Sequence, residues 1–174
     1  MLEVRMLDPS DDRTRFRSGQ PALDFFFQQF AGQNQFKHHI GTTYVAVDEG
    51  RVVGYVTVSP AHVERHRLDA AARKRLPLYP LPVLRVARLA VDESLHASGV
   101  GRMLLRFVFR LAIRMSVEFG CAGVLVDAKP EAENYYESLG FVRLDAVSGD
   151  ALSQPVPMFV GIHRLKFAVK IEKP

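Results

Sequence analysis

The chain has 174 residues, of which 48% are hydrophobic and 24% charged, which supplies the core of one packed domain and argues against a disordered chain. A formal net charge of +4 at pH 7 and a sequence pI of about 9.4 are compatible with an acidic partner, such as a nucleotide or a nucleic acid, and equally with a plain surface imbalance. The single cysteine excludes an internal disulfide and a metal site of paired cysteines, and the lack of an apolar leader or a membrane-length apolar run favours a cytoplasmic protein.

The first elements in chain order are a strand and a helix. Apolar residues alternate over 1–7, as in a half-buried strand. A helix is expected from Gln20, with Pro21 near its first position and its end at Gly32. The polar segment 33–40 then predicts a loop or a short helical turn.

A β-hairpin follows the helix. Segments 43–47 and 51–59 have strand character and flank a turn sequence at 48–50. Gly54 within the second strand predicts a bulge or a close backbone approach. Pro60 is expected to end that strand.

A charged segment and a proline-rich connector lead into the second half of the chain. Residues 62–75 predict a short helix or a loop, and the sequence LPLYPLP at 76–82 predicts a stiff extended connector. A strand is expected from near Val83 to Val91.

The second half alternates strands and helices. The expected elements are a turn at 92–98, a helix at 99–119, a strand at 122–127, a helix at 131–139, a strand at 141–144, a loop at 147–157 and a final strand at 158–170. Strands joined through helices need crossovers and at least one parallel pair. With the antiparallel first half, this predicts an α/β (α+β) fold, a mixed sheet with helices on both faces. No linker divides the chain, so residues 1–174 are expected to form a single domain.

The turn before the long helix contains Gly99 and Gly101, followed by Arg102. Glycine permits positive φ and lets a ligand approach the backbone. Because the first N–H groups of a helix have no partner within it and its dipole is positive there, the turn predicts a phosphate site beside the Arg102 charge. A helix entry turn with two glycines also occurs without a ligand, and both interpretations stay open from the turn alone.

Two motifs in order resemble the GCN5-related N-acetyltransferases (GNAT). The sequence HASGVG at 96–101 resembles the family pattern [Gln/Arg]-x-x-Gly-x-[Gly/Ala], from which His96 departs. The sequence NYYESLGF at 134–141 resembles Asn-x-x-[Phe/Tyr]-Tyr-x-x-x-Gly-Phe, with Asn134 displaced. The resemblance spans about 43–144 and implies a GNAT-type, mostly antiparallel central sheet that splays into a V, with acetyl-CoA as the acetyl donor.

Further stretches resemble the GNAT toxins of toxin–antitoxin modules. They are SGQPALDFFF, TYVAVDEGRVVGYVTVS, LPLYPLPVLRVARLAVD and GVLVDAKPEAENYYESLGF. Those enzymes acetylate the free α-amine of aminoacyl-tRNA and are neutralised by a ribbon-helix-helix antitoxin. The resemblance therefore implies aminoacyl-tRNA and such an antitoxin as partners, and it leaves a homodimer open.

The family motifs also imply which residues bind acetyl-CoA. Turn N–H groups would bind the pyrophosphate, and the backbone of the preceding strand would pair with the pantetheine amides and stabilise the oxyanion. Tyr136 is the expected general acid for the departing thiolate, since a phenol pKa near ~10 is close to a thiol pKa near ~8.5. The expected cofactor-binding residues are Leu89, Ala90, Val91, His96, Ala97, Ser98, Gly99, Val100, Gly101, Arg102, Asn134 and Tyr136.

No general base stands out in the sequence. An α-amine with a pKa near ~7.7–8.0 is partly neutral at pH 7, whereas a lysine side chain near ~10.4 needs more help. The lack of a base therefore favours an α-amine as the acceptor. His62, Glu64 and Asp92 are candidates, each better explained as a solvated or capping residue.

Basic residues indicate where the acceptor would bind. The candidates for substrate binding are Arg65, Arg67, Arg75 and Arg85. Arginines spaced by four along the helix at 99–119 are compatible with a track for RNA phosphates or with a solvated face. Cys121 is expected to be a packing residue, and no metal site is expected because His62 and His66 lack a third ligand.

The leading hypothesis is an acetyl-CoA-dependent N-acetyltransferase that acts by direct attack of the amine in a ternary complex, with aminoacyl-tRNA as the acceptor. One alternative is a GNAT enzyme acting on a small-molecule or protein amine. Another is a non-catalytic CoA-binding or interaction module, in which Tyr136 and the basic clusters are structural.

Overall fold

The computed structural model describes residues 1–68, 70–144 and 155–170, so most of the predicted loop at 147–157 lies outside the described residues. The chain divides into two compact units. The first unit comprises Met1–Ser59 and Val86–Val108, and the second comprises Pro60–Arg85 and Phe109–Pro174.

The described residues form seven strands and six α-helices. The strands are β1 (Glu3–Met6), β2 (Thr42–Asp48), β3 (Arg51–Val63), β4 (Leu81–Val91), β5 (Gly123–Ala128), β6 (Val142–Arg143) and β7 (Val156–Gly161), hydrogen-bonded in the order β1-β2-β3-β4-β5-β7-β6. The α-helices are α1 (Pro21–Gln29), α2 (Ala31–Gln33), α3 (Ala70–Arg73), α4 (Val100–Glu118), α5 (Glu133–Ser138) and α6 (Ile162–Lys170). A π-helical turn covers Asn34–His38, and 3-10 turns cover Arg65–Arg67, Glu93–Leu95 and Pro130–Ala132.

In the first unit, β1, β2 and β3 pair antiparallel, as expected for the hairpin. The register of β2 and β3 shifts so that Val53 is an extra residue and forms a bulge. At the neighbouring Gly54, a Cβ would lie 2.9 Å from a methyl group of Val100 and 3.3 Å from the carbonyl oxygen of Ala90. The bulge and the close approach predicted from Gly54 are therefore both confirmed.

The core of the first unit is built around Tyr55. Its ring stacks on Phe27 with centroids 4.4 Å apart, and Phe16 meets it edge-on at 5.5 Å. The Tyr55 hydroxyl donates a 2.8 Å hydrogen bond to the carbonyl of Leu23, and burial raises the pKa of this phenol far above its usual value. This packing fixes α1, and the expected start from Gln20, with Pro21 near the first position, is confirmed, since Gln20 is the N-cap and Pro21 the first helical residue.

The expectation that the first helix ends at Gly32 is wrong, because α1 already ends at Gln29 and is followed by α2. The short helical turn expected within 33–40 is confirmed by the π-helical turn Asn34–His38. The buried Gln35 side chain stabilises this turn, because it donates to the carbonyl of Leu7 at 3.3 Å and accepts from the N–H of Thr43 at 2.8 Å. These tertiary hydrogen bonds hold the chain in a helical path past the glycine.

In the second unit, β5, β7 and β6 pair antiparallel. Its core contains Val63, Leu81, Val83, Leu144 and Phe159. β4 begins two residues before the predicted start near Val83, because Leu81 is already part of this core.

Two predicted strand limits in the second unit are wrong. β3 continues through Pro60 to Val63, since an exposed proline is tolerated in a strand where its nitrogen is not needed as a donor. The predicted strand at 158–170 ends at Gly161 and is followed by α6, in which Leu165 is buried. Apolar residues after Gly161 follow a helical period rather than strict alternation.

The mixed α/β fold class with a mostly antiparallel sheet is confirmed for the described strands. The predicted helix at 99–119 corresponds to α4. Within the described residues, no helix combines the length and apolar character that a membrane span requires.

Candidate active site

The predicted cofactor residues of the first unit lie at the end of β4 and the start of α4. The Ala90 side chain is buried, and Leu89 and Val91 are half-buried, so their side chains serve packing. The carbonyl oxygen of Val91 lies 3.0 Å from Nε2 of His96. His96 therefore folds the turn back onto the strand end through its side chain, which is a structural use of the position where the family pattern has Gln or Arg.

The turn that follows contains left-handed backbone at two positions. The φ angles are 61° at Ala97 and 91° at Gly99. The hydroxyl of Ser98 donates to the carbonyl of Leu95 at 2.5 Å, which ties its side chain into the turn. The first hydrogen bond of α4 runs from the N–H of Met103 to the carbonyl of Gly99 at 3.0 Å. The N–H groups just before Met103 belong to a helix start and are donors suited to a phosphate.

Gly101 occupies a position where the packing of the first unit leaves room. A Cβ there would meet a methyl group of Val91 at 3.5 Å, which is ordinary contact, and a Cβ on Gly99 would meet nothing within 4 Å. Gly99 is explained by its positive φ, whereas at Gly101 neither the backbone angle nor the packing requires glycine. The Val100 side chain is buried and the Arg102 side chain is exposed.

Asp92 lies between the strand end and this turn, with its side chain only 2% exposed. One carboxylate oxygen accepts hydrogen bonds from the N–H and hydroxyl of Ser94, at 3.1 and 2.5 Å. The other accepts from the Arg51 guanidinium at 2.9 Å and from the N–H of Arg17 at 3.4 Å.

Burial opposes ionisation of Asp92, but the hydrogen bonds from Ser94 and Arg17 and the charge of Arg51 outweigh it. The pKa of the Asp92 carboxyl is therefore lowered from its usual value. A carboxylate whose two oxygens already accept hydrogen bonds and whose pKa is lowered is a poor general base. The hydrogen bond from the N–H of Ser94 fits the capping interpretation of Asp92.

In the second unit, Tyr136 lies on α5 and is 6% exposed. Its ring meets Phe141 edge-on at 5.4 Å and Tyr135 at 5.5 Å. Burial, with a smaller contribution from Tyr135, raises the pKa of Tyr136 to about 12. The phenol is therefore protonated at neutral pH, as a general acid must be. The raised value widens the gap to a thiol pKa of ~8.5, so the close match of phenol and thiol pKa values expected from the sequence is not found.

The backbone carbonyl of Tyr136 helps to close the end of α5. The carbonyl of Tyr136 accepts hydrogen bonds from the N–H groups of Leu139 and Phe141, at 3.0 and 3.1 Å. Gly140 has a φ of 95°, and a Cβ there would lie 2.6 Å from Nε of Arg164. Only glycine meets both conditions without strain. Asn134 lies on the same helix and is exposed.

Comparison with known proteins identifies the family. A family model described as an acetyltransferase (GNAT) domain matches residues 39–143. The chain belongs to the GNAT acetyltransferases. The expected acetyltransferase activity, with acetyl-CoA as the acetyl donor, is thereby confirmed.

Relatives of this GNAT chain include enzymes that act on tRNA. A tRNA-acetylating toxin of Mycobacterium tuberculosis is 30% identical over 138 residues, which cover 79% of this chain and 82% of the relative. A solved mutant of KacT has a TM-score of 0.84 and 28% identity, covering 96% of this chain and 98% of its own. A solved complex of AtaT with acetyl-methionyl-tRNAfMet has a TM-score of 0.84 and 26% identity, covering 97% and 99%.

In this GNAT chain, the predicted acceptor arginines Arg65 and Arg85 form contacts within the second unit. The Arg65 guanidinium donates two hydrogen bonds to the carbonyl of Arg73, at 2.9 and 2.5 Å. Arg85 on β4 forms an ion pair with Asp127 on β5. The Arg67 side chain is half-buried, and Arg75 is exposed.

The remaining candidates of the GNAT chain are the arginines of α4, Cys121 and possible metal ligands. Arg102, Arg106 and Arg110 are exposed on α4, and Arg114 pairs with Glu118 at 3.6 Å. Burial raises the pKa of the Cys121 thiol, which fits its packing interpretation. Within the described residues, no group of three or more His, Cys, Asp or Glu side chains is arranged to hold a metal ion.

Sequence reasoning included a capping role for Asp92, which is confirmed, but missed its hydrogen bonds to distant segments. Its partners Arg51 and Arg17 are 41 and 75 residues away along the chain, so no local pattern reveals the network. The available signal was the position of an acidic residue directly after a buried strand and before the glycine turn.

Proposed function

We propose that this GNAT enzyme transfers the acetyl group of acetyl-CoA to the α-amine of aminoacyl-tRNA and acts as the toxin of a toxin–antitoxin pair. The observation that carries the proposal is the 30% identity, over 79% of the chain, to a tRNA-acetylating toxin. The fold similarity to AtaT in complex with acetyl-methionyl-tRNAfMet supports the same acceptor.

The proposed reaction is a direct attack. The neutral α-amine attacks the thioester carbonyl, the new C–N bond forms, and the C–S bond breaks as the tetrahedral intermediate collapses. Tyr136 donates a hydrogen bond and then its proton to the departing sulfur, giving the free thiol of CoA. The proton lost by the amine nitrogen returns to the Tyr136 oxygen, whose high pKa makes it a strong proton acceptor once ionised. The products are an N-acetylated aminoacyl-tRNA and CoA.

Binding of acetyl-CoA is assigned to the turn of the first unit. The N–H groups from Gly99 to Arg102 bind the pyrophosphate, and the backbone of 89–91 pairs with the pantetheine amides and stabilises the oxyanion. The cofactor roles of His96, Ala97, Ser98 and Asn134 remain part of this proposal. His96 acts by closing the turn onto Val91.

No strong base is required for an α-amine acceptor. Its pKa near ~7.7–8.0 leaves a useful neutral fraction at pH 7, whereas a lysine side chain near ~10.4 is almost fully charged. Among the candidate bases, His62 is exposed and Glu64 is half-buried in the second unit, while Asp92 is fully hydrogen-bonded in the first.

The test is label transfer from acetyl-CoA to charged tRNA. We expect radiolabelled acetyl-CoA and a mixture of aminoacyl-tRNAs to give N-acetylated aminoacyl-tRNA. Uncharged tRNA, which lacks the amine, and aminoacyl-tRNA with a formylated α-amine are matched controls and should receive no label.

Two results would overturn the assignment of the acceptor. Labelling of polyamines or protein lysines without labelling of any aminoacyl-tRNA indicates the small-molecule or protein acetyltransferase. Binding of acetyl-CoA without transfer to any amine indicates the non-catalytic module.

The acceptor also determines where the protein works and what controls it. Aminoacyl-tRNA is a substrate of translation, so we place the enzyme in the cytoplasm. Free activity on charged tRNA would stop translation, so we propose an antitoxin as a partner. Co-purification with the product of an adjacent small ribbon-helix-helix gene tests this interaction.

A further inference from the structure

Asp92 connects three segments of the first unit through its side chain. Ser94 lies in the turn after β4, Arg51 lies at the start of β3, and Arg17 lies in the segment before α1. All three donate to the carboxylate, and both of its oxygens are occupied. The side chain is shielded from water, so these partners replace the solvent that a carboxylate normally binds.

The backbone around Asp92 is fixed from two sides. The N–H of Asp92 donates to the carbonyl of the bulged residue Val53 at 2.9 Å. The N–H of Glu93 donates to the carbonyl of Arg17 at 2.8 Å. The chain leaves β4 along a path set by β3 on one side and by the N-terminal segment on the other.

The glycine turn begins directly after this anchored point. The carbonyl of Asp92 accepts from the N–H of Leu95 at 2.9 Å, and the His96 ring returns to the carbonyl of Val91 at 3.0 Å. The direction of the N–H groups from Gly99 onward therefore depends on how Asp92 is held. A backbone phosphate site is sensitive to such placement, because displacement by about 1 Å costs large factors in binding or rate.

We propose that Asp92 is a positioning residue for acetyl-CoA, which holds the exit of β4 so that the N–H donors at 99–102 face the pyrophosphate. The carboxylate itself contacts no substrate, since its oxygens are occupied within the protein. The inference rests on the acetyl-CoA part of the proposed function and not on the identity of the acceptor.

The test compares Asp92→Asn with Asp11→Asn. Asp11 is a matched control in the same unit, because its carboxylate bonds Arg5 at 2.7 Å and the N–H of Asp8 at 2.8 Å, in the loop after β1. Each substitution removes a carboxylate charge that is paired with an arginine. The measurement is calorimetric binding of acetyl-CoA without an acceptor, together with the melting temperature.

Both variants should melt at lower temperature, and Asp92→Asn alone should raise the Kd for acetyl-CoA by about tenfold. Turnover of Asp92→Asn at saturating acetyl-CoA should stay within about twofold of the wild type, since the carboxylate takes no part in the chemistry. An unchanged Kd in Asp92→Asn, or an equal rise in Asp11→Asn, would overturn the proposal.

Two milder variants keep the test decisive if Asp92→Asn does not fold. Arg51→Gln and Ser94→Ala each remove one arm of the network, and the Arg51 side chain is 55% exposed. Each should raise the Kd about threefold, and normal affinity in both contradicts the proposal. Because no acceptor is present, a failure of tRNA acetylation leaves this measurement unaffected.

Discussion

The candidate residues of the two units use different chemistry. The turn between β4 and α4 offers backbone N–H groups, while its side chains serve the turn: Val100 is buried, Ser98 bonds to Leu95, and His96 bonds to Val91. The second unit offers a single side chain, Tyr136, buried between aromatic neighbours.

Because of this difference, substitutions in the two regions should have different effects. A backbone site tolerates many side chains provided that the φ angles are kept, which explains how His96 replaces the usual Gln or Arg. A side chain that acts as a general acid, in contrast, cannot be replaced by one that has no proton to donate. Changes in the turn should therefore alter the affinity for acetyl-CoA, and changes at Tyr136 should alter turnover.

The largest expected effect is that of Tyr136→Phe. Loss of the phenol proton should lower kcat by about 100-fold, the size typical of a general acid, with the Kd for acetyl-CoA within about twofold of the wild type. The measurement is single-turnover acetyl transfer together with calorimetric binding.

Tyr135→Phe is the matched control for this prediction, because Tyr135 is the adjacent tyrosine and is exposed. Its kcat should stay within about twofold of the wild type. If Tyr136→Phe turns over as fast as Tyr135→Phe, the acid role of Tyr136 is wrong.

A smaller effect is expected for Gly101→Glu. A carboxylate in the first turn of α4 favours the helix dipole and replaces glycine with a better helix former, so the melting temperature should not fall. The same charge repels the pyrophosphate and should raise the Kd for acetyl-CoA by about tenfold, less at high salt. Calorimetry at two salt concentrations measures this.

Gly101→Gln adds a side chain of similar size without the charge, so it separates the effect of the Glu charge from that of the added volume. It should raise the Kd by only about threefold, with no dependence on salt beyond that of the wild type. Equal affinity in Gly101→Glu, Gly101→Gln and the wild type would show that the pyrophosphate does not bind at this turn.

The smallest expected effect is that of alkaline pH on turnover. Since the pKa of Tyr136 is raised to about 12, its phenol keeps its proton across the range in which an ordinary tyrosine with a pKa near ~10 begins to ionise. The kcat should therefore not fall between pH 8 and 10. Any stability linked to the neutral phenol is complete below pH ~10 and is lost as the pH rises through about 12.

A fall in kcat with an apparent pKa near 10 in the wild type, absent in Tyr136→Phe, would contradict the raised pKa. Stopped-flow measurements at saturating acetyl-CoA limit the hydrolysis of the aminoacyl ester during the assay.

Strong local periodicity made much of the fold predictable. The apolar spacing after Gly99 predicted α4 closely, and Gly54 predicted a bulge that the register of β2 and β3 shows. The predicted ends of helices and strands were wrong where contacts with distant residues outweighed the local sequence pattern. Strand β3 runs past Pro60 to Val63, and buried Leu165 belongs to a helix rather than to the predicted strand.

The sequence by itself determined the motif residues and their spacing. These are glycines where the backbone needs positive φ or open space, and a tyrosine four residues before Gly140. Their roles depend on neighbours along the chain, and so they leave a local signature. The family followed from these motifs.

Only the tertiary structure decided which partners several of the charged side chains have. It pairs Arg85 with Asp127, turns Arg65 onto the carbonyl of Arg73, and encloses Asp92 with partners from distant segments. It also raises the pKa of Tyr136 by burial. Burial and ion pairing depend on segments far apart in sequence, and no periodicity within one segment records them.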